Sequence, residues 1–167
     1  KPPLTPHAPP LNVASLQGVQ IKELFDILVS QDSNVTESSP GKTPYISSSQ
    51  QNNGIAAFVY GSPSQDANTI TVARNGSVGS AFYHSYAYCA SPDDVRILKP
   101  KFVMNKYSAL FLTVLIEKEK YRYAYGRKFG TKRLKETKIF LPVKSAGVPD
   151  WEYMEKFIKA RPFSVNL

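Results

Sequence analysis

The sequence predicts a single α/β (α+β) domain with a mixed, strand-rich sheet and a few helices. The chain has 167 residues, 42% of them hydrophobic, which is enough for one compact core. Its middle part, residues 45–98, alternates short β-branched and aromatic runs with Asn-Gly and Ser-Pro turn signals, as a strand-rich region does. Two later stretches, residues 105–119 and 150–159, carry apolar residues at helical spacing.

The chain begins with a proline-rich lead. Five of the first ten residues are proline, a composition typical of a stiff polyproline-like linker. We therefore expect residues 1–17 to be a linker and residues 18–167 to form the domain. The next apolar positions, Ile21, Leu24, Phe25 and Leu28, have helical spacing and predict a short amphipathic helix or turn.

The strands are predicted from β-branched and aromatic runs that end at turn residues. Residues 30–44 and 61–68 are polar and are expected to be loops, and Asn-Gly pairs mark turns at residues 52–54 and 74–76. The predicted strands are residues 45–46, 55–60, 69–73, 80–83, 86–90, 95–98 and 139–142, the last as an edge strand.

Two longer helices are expected, each with a capping residue. Leu110, Phe111, Val114 and Leu115 predict a helix over residues 105–119, begun by Asn105. Asp150 follows a proline and precedes an apolar face, which predicts a capped helix over residues 150–159.

The positive charge lies almost entirely in the C-terminal part. Residues 1–94 hold four Lys/Arg and seven Asp/Glu, whereas residues 95–167 hold seventeen and six. The densest part, residues 120–138, mixes cations with aromatic side chains and contains one acid, Glu136. A segregated charge of this size attracts polyanions, so the sequence predicts a nucleic-acid surface.

The basic segment supplies candidates for phosphate contacts. Glycines at 126 and 130 suggest a loop whose backbone could approach a phosphate closely. About five phosphate contacts would give a log-log salt slope of roughly −4 to −5. Tyr121, Tyr123 and Tyr125 alternate at strand spacing and are interpreted as core or cross-strand packing. The candidate phosphate-binding residues are Arg127, Lys128, Lys132, Arg133 and Lys135.

The polar loops supply candidates for reading bases. Gln and Asn can form paired hydrogen bonds with adenine, and Arg with guanine. The candidates are Gln50, Asn52, Arg74 and Asn75, and Arg74 is preferred because turn formation already explains the Asn-Gly pairs.

Several other classes of protein are less consistent with the composition. The single cysteine, Cys89, and the two histidines leave neither an intramolecular disulfide nor a zinc cluster, so we expect no metal and a cytoplasmic location. No apolar run is long enough to cross a membrane. We therefore expect no membrane among the partners of this chain.

A nuclease and an RNA-binding module remain as alternatives. Pro92-Asp93 and Glu136-Thr137-Lys138 could form a Mg²⁺-dependent nuclease site if Asp93 and Glu136 converged, although 42 residues separate them. A thiol site of Cys89 and His84 is disfavoured by their spacing of five in a strand. The basic segment would also suit RNA, but the paired aromatic motif of the common RNA-binding sheet is missing.

Several short motifs, in order along the chain, carry a family resemblance. Residues 41–47, 52–55 and 68–79 resemble the target recognition domain of type I restriction-modification specificity subunits. Residues 125–128, 133–135, 139–142 and 147–155 resemble the end of such domains in type II enzymes that use the same module. The match spans residue 18 to the C-terminus.

The resemblance implies an α/β domain that reads a short part of a double-stranded DNA target for a partner methyltransferase and endonuclease. It implies no catalytic centre and no cofactor in this chain, since S-adenosylmethionine would belong to the partner methyltransferase. Specificity subunits of the family carry two recognition domains joined by long helices, and this chain has room for one. We expect a fragment or half-sized subunit, or the tail of a methyltransferase fusion.

Overall fold

A computed structural model describes residues 7–34, 39–123, 128–144, 147–162 and 164. Within these ranges it shows nine strands, four helices and three single 3-10 turns, Val13–Ser15, Asn52–Gly54 and Glu119–Arg122. The strands and helices are β1 (Leu16–Gln20), α1 (Ile21–Leu24), β2 (Phe25–Leu28), β3 (Pro40–Ile46), β4 (Ile55–Val59), β5 (Thr69–Ala73), β6 (Ala81–His84), β7 (Cys89–Ala90), β8 (Val95–Pro100), α2 (Lys106–Lys118), α3 (Thr131–Glu136), β9 (Lys138–Pro142) and α4 (Trp151–Lys159).

The centre of the domain is an antiparallel sheet with strand order β2-β8-β5-β6. All five residues of β5 are buried, because both faces of the sheet are covered. On one face Ile70 and Leu98 pack with Leu112 and other residues of the helices. On the other face Ile97 and its neighbours pack against the second sheet. The predicted fold class is therefore confirmed.

The second sheet has the order β4-β3-β7, with β3 antiparallel to β4 and parallel to β7. Residues 40–44 were predicted as loop, and this is wrong because they belong to β3. The proline and glycine there are accommodated by a register shift between Pro40 and Thr43. Gly41 lies so close to β4 that a Cβ atom would stand 2.2 Å from the Val59 carbonyl oxygen, so only glycine allows this pairing.

The segment from Ile21 to Leu28 divides into α1 and β2 instead of forming one helix. The single turn of α1 is stabilised at its start, where the Gln20 backbone N–H donates to Glu23 Oε1 at 2.9 Å. Phe25 to Leu28 then pair with β8. Apolar residues at positions 21, 24, 25 and 28 fit either arrangement, and pairing with β8 decides between them.

β9 pairs with β1 in a separate two-stranded antiparallel ribbon, so its predicted character as an edge strand is confirmed. β1, which the sequence analysis did not identify, begins at Leu16.

The two longer helices are confirmed together with their caps. Asn105 Oδ1 accepts hydrogen bonds from two backbone N–H groups at the start of α2, and Asp150 Oδ1 accepts one from Tyr153 N at 3.0 Å. The buried face of α2 includes Leu112 and Ile116, whereas Val114 is half exposed, so the apolar face lies beside the predicted one. No helix in the described part of the chain has the length and apolar character that a membrane crossing needs.

Candidate nucleic-acid interface

The basic segment contains a short helix, α3, which the sequence analysis did not predict and which directly follows the expected loop of residues 126–130. Leu134 is fully buried, while Lys132, Arg133 and Lys135 are exposed. Arg133 Nη1 also donates a hydrogen bond to the Lys128 carbonyl oxygen at 2.8 Å, which joins the helix to the exposed residue that precedes it. Burial of one apolar side chain thus turns three cations towards solvent on one short element.

Aromatic side chains hold this segment on the domain. The ring of Phe129 is fully buried and stacks on Tyr123, with ring centroids 4.0 Å apart and planes at 15°. The Tyr123 and Thr137 hydroxyls are hydrogen-bonded at 2.8 Å. Packing of Tyr123 is therefore confirmed, although the predicted strand is wrong because residues 119–122 form a 3-10 turn and Tyr121 is 74% exposed. Tyr125 and Arg127 lie outside the described residues.

The polar loops between the sheets form the second part of the site. Ser48 lies against Gly76, where a Cβ atom would stand 2.7 Å from Ser48 Oγ. Asp94, which precedes β8, is hydrogen-bonded to both loops. Its carboxylate accepts from Ser47 Oγ at 2.8 Å, and its carbonyl oxygen accepts from Arg74 N at 2.8 Å. The loops of residues 47–54 and 74–79 therefore form one continuous surface.

The four predicted base-reading residues occupy different positions on this surface. Arg74 and Asn75 are half-buried, Gln50 and Asn52 are exposed, and Asn75 Nδ2 donates to the Asp93 carbonyl oxygen at 2.8 Å. Asn52 adopts a left-handed backbone conformation with φ 50° and lines a pocket together with Phe58 of β4. Turn formation at Asn53-Gly54 and at Gly76 is confirmed by their positive φ angles of 55°, 79° and 55°.

Arg96 joins the two groups of candidates, and the sequence analysis missed it. This side chain is 7% exposed, and its Nε donates a hydrogen bond to Thr131 Oγ1 in the first turn of α3 at 2.8 Å. Burial lowers the pKa of the Arg96 guanidinium, the charge of Arg74 lowers it further, and Asp93 acts in the opposite direction. The available signal was a charged residue inside the apolar run Val95 to Leu98.

Further cations surround α3. Lys22 of α1 lines a groove of about 410 Å³ together with Lys132 and Lys135. On the other side of the helix, Arg122 and Lys138 line a cleft of about 390 Å³ together with Arg133, Phe140 and the acid Glu136. The 3-10 turn that carries Arg122 also approaches the polar loops, since a Cβ atom at Gly79 would stand 2.5 Å from Lys120 Cβ. The positive surface therefore extends on both sides of α3.

A buried histidine of β6, His84, contacts the loop of residues 47–54 through Asn53. His84 is fully buried, its Nε2 lies 2.8 Å from Thr71 Oγ1, and its Nδ1 lies 3.3 Å from both Asn53 Nδ2 and the Tyr86 hydroxyl. Burial lowers the pKa of His84 to about 4, so the ring is neutral at neutral pH. Nε2 of His84 thus contacts β5, and Nδ1 contacts Asn53 of the loop.

The structure does not favour the catalytic alternatives. In the described ranges no group of three or more His, Cys, Asp or Glu side chains could hold a metal ion. Asp93 lies in the turn before β8, whereas Glu136 ends α3. Cys89 Sγ donates to the Ser62 carbonyl oxygen at 3.8 Å, and the nitrogens of His84 contact Thr71, Asn53 and Tyr86.

Comparison with known proteins places this arrangement in a family. The model of the type I restriction modification DNA specificity domain matches residues 16–162. The chain belongs to this family. The resemblance inferred from the motifs is thereby confirmed.

A similar curated protein is the type II restriction enzyme specificity subunit S.BcgI of Heyndrickxia coagulans. It is 40% identical over 141 residues, which are 83% of this chain and 41% of that subunit. The chain thus spans less than half the length of this relative.

Solved structures share the fold of this family member. The S subunit of the type I restriction-modification system of M. genitalium matches with a TM-score of 0.65 and 19% identity, over 88% of this chain and 38% of that chain. The HsdS subunit of Thermoanaerobacter tengcongensis matches with a TM-score of 0.61 and 16% identity, over 94% and 39%.

Proposed function

We propose that this specificity domain recognises a short double-stranded DNA sequence for a restriction-modification system. The observation that carries the proposal is α3, which exposes Lys132, Arg133 and Lys135 and whose Thr131 accepts a hydrogen bond from Arg96 of β8. Cations on one rigid element bind phosphates, and polar loops beside them can reach base edges. Membership of the DNA specificity family supports the same function.

Within this proposal the two groups of residues have different tasks. Lys128 and the α3 cations contact phosphates and supply affinity, and Arg127 is assigned to the same group from its sequence position. Gln50 and its neighbours in the loop of residues 47–54 present exposed amides and hydroxyls for base contacts. Asn52 and Asn75 contribute DNA contacts as well as turn geometry, so we rank them below Gln50.

The proposal extends to partners that act on the recognised site. The domain directs a methyltransferase and an endonuclease, as subunits or as fused domains, to its target. It has no catalytic centre of its own, S-adenosylmethionine binds to the methyltransferase, and the complex acts in the cytoplasm. The name of the S.BcgI relative, a specificity subunit of a restriction enzyme, supports this assignment.

Selection from random duplex DNA tests the function directly. The purified chain is bound to a duplex with a randomised segment, bound molecules are amplified, and the products are sequenced after several rounds. We expect one short motif to be enriched, with weaker binding to duplex RNA and to single strands. Enrichment of no motif, or preference for RNA, would contradict sequence-specific DNA recognition.

A matched pair of double variants tests the role of α3. Lys132→Ala/Lys135→Ala removes two cations that form no ion pair with any described residue, and the loss of two phosphate contacts should make the log-log salt slope less negative by about 1.8. The control is Lys156→Ala/Lys159→Ala on α4, where the lysines pair with Glu152 and Glu155. Equal slopes for the two variants would remove α3 from the interface.

A further inference from the structure

Arg96 is a buried cation whose hydrogen-bond partners among the described residues are all neutral. Its Nε donates to Thr131 Oγ1 at 2.8 Å, and its Nη1 donates to the carbonyl oxygens of Pro92 and Val95 at 2.8 and 2.7 Å. No carboxylate of the described residues forms an ion pair with it. Buried charges in proteins are normally paired with an opposite charge, whereas Arg96 has neutral acceptors among the described residues.

Arg74 is a second cation near the first, and it forms no ion pair with a described residue. In the register of β5 and β8 Val72 pairs with Arg96, and the hydrogen bond from Arg74 N to Asp94 O continues this ladder by one residue pair. Arg74 follows the last residue of β5 and is thus two positions along the chain from Val72, the partner of Arg96. Arg74 Nε is shielded from solvent and has no hydrogen-bond acceptor among the described residues.

We propose that Arg74 and Arg96 form a binding site for one phosphate group of the DNA backbone. Arg74, which is half exposed, contacts the phosphate oxygens directly. Arg96 is a positioning residue: its buried guanidinium adds positive charge to the site, and its hydrogen bond to Thr131 fixes the start of α3. The inference rests on the proposed function, that the chain binds DNA, and it assigns Arg74 to the backbone.

The uncompensated charge distinguishes a phosphate from the guanine edge that the sequence analysis favoured for Arg74. A guanine offers two acceptor atoms but no net charge, and it would leave both guanidinium groups without a counter-ion. A phosphate carries a full negative charge, and arginine binds it through two parallel N–H donors. Asp93 acts on Arg96 without forming an ion pair, and the carboxylate of Asp94 accepts hydrogen bonds from the Ser47 and Ser91 hydroxyls.

The site has opposite effects on the free and the bound protein. In the free protein two neighbouring like charges repel each other, so replacing Arg74 by an apolar side chain of similar length relieves repulsion. In the bound protein the same replacement removes a phosphate contact. If Arg74 had a merely structural role, its replacement would lower both the stability of the free protein and its affinity for DNA.

Thermal unfolding with inorganic phosphate as the probe tests the site without DNA. At about ten times its dissociation constant, phosphate should raise the Tm of the wild-type chain by about 3–6 °C over chloride of equal ionic strength. Arg74→Met should lose this rise and should melt at or above the wild-type Tm in chloride. The control is Arg161→Met, whose guanidinium lies 3.8 Å from the centroid of the Phe157 ring on α4 and which should keep the phosphate effect.

Duplex binding completes the test. Arg74→Met should weaken binding to every sequence by the same factor and make the salt slope less negative by about 0.9. Two results would overturn the inference while DNA recognition stands: a phosphate rise that Arg74→Met retains, or a loss of affinity confined to one base pair with an unchanged slope. Failure of the wild-type chain to bind duplex DNA would instead refute the proposed function, and the phosphate rise would still report on the site.

Discussion

Protonation of His84 should destabilise the domain in mild acid. The Asn53 amide donates to the Tyr83 carbonyl oxygen at 3.1 Å and to the Tyr86 hydroxyl at 3.0 Å, and both the amide nitrogen and this hydroxyl lie 3.3 Å from His84 Nδ1. Burial keeps the ring neutral at neutral pH, so one ring nitrogen carries a proton and the other is an acceptor. A second proton would replace this acceptor by a donor and would leave a buried charge without a counter-ion.

The magnitude follows from the two pKa values. The folded-state pKa of His84 is about 4, and an unfolded histidine has a pKa of about 6.5. Between these values the unfolded chain binds one more proton, so stability is complete above about pH 6.5 and falls as the pH is lowered towards 4. Between pH 7.5 and 5 the loss is about 2 kcal/mol, equivalent to a Tm decrease of about 4–8 °C.

Urea unfolding at several pH values measures this loss. The single tryptophan, Trp151, stacks on Phe102 at 4.0 Å and reports unfolding by fluorescence. His84→Gln should be less stable at pH 7.5 but should lose about 2 kcal/mol less than wild type on acidification to pH 5. Carboxylates contribute to acid unfolding in both proteins and cancel in the difference, and exposed His7→Gln serves as the control. Parallel pH profiles for wild type and His84→Gln would refute the reasoning.

Three further substitutions test other parts of the structure. Leu134→Ala removes the fully buried anchor of α3 and should cost about 2–5 kcal/mol in the free energy of urea unfolding; a loss below about 1 kcal/mol would mean that α3 is not anchored there. Gly76→Ala places a Cβ atom 2.7 Å from Ser48 Oγ in a backbone with φ 55°, so it should cost at least about 1 kcal/mol, and an unchanged Tm would contradict this. Asn105→Ala removes the cap of α2 and should cost about 1 kcal/mol, measured by thermal unfolding followed by circular dichroism, whereas a gain in Tm would contradict the capping role.

Elements with strong local signals could be predicted from the sequence. α2 and α4 each combine a capping residue with an apolar face, and β5 is a β-branched run between turn residues, so local chemistry and tertiary packing favour the same structure. The turns at Asn53-Gly54 and Gly76 follow from the need for positive φ angles. These features need no knowledge of distant residues.

Elements that depend on distant partners could not be predicted in this way. α3 is six residues long, too short to be stable alone, and it forms because Leu134 and the preceding Phe129 enter the core. Residues 40–44 form a strand because they pair with β4, although proline and glycine are typical of loops. The same limit explains Arg96: its position in an apolar run was visible, but its contact with Thr131 spans 35 residues.

The way in which the two parts of the interface are held affects which side chains can vary. α3 depends on Leu134 and Phe129, both of which point inward, so its exposed cations can change with little effect on folding. The loop of residues 47–54 is held by Asn53, which bonds to β6, and by Ser47, which bonds to Asp94. Gln50 is exposed and forms none of these supporting contacts. If it contacts DNA bases as proposed, the sequence that the domain recognises can therefore change by substitution at this position while the loop backbone and the phosphate contacts are retained.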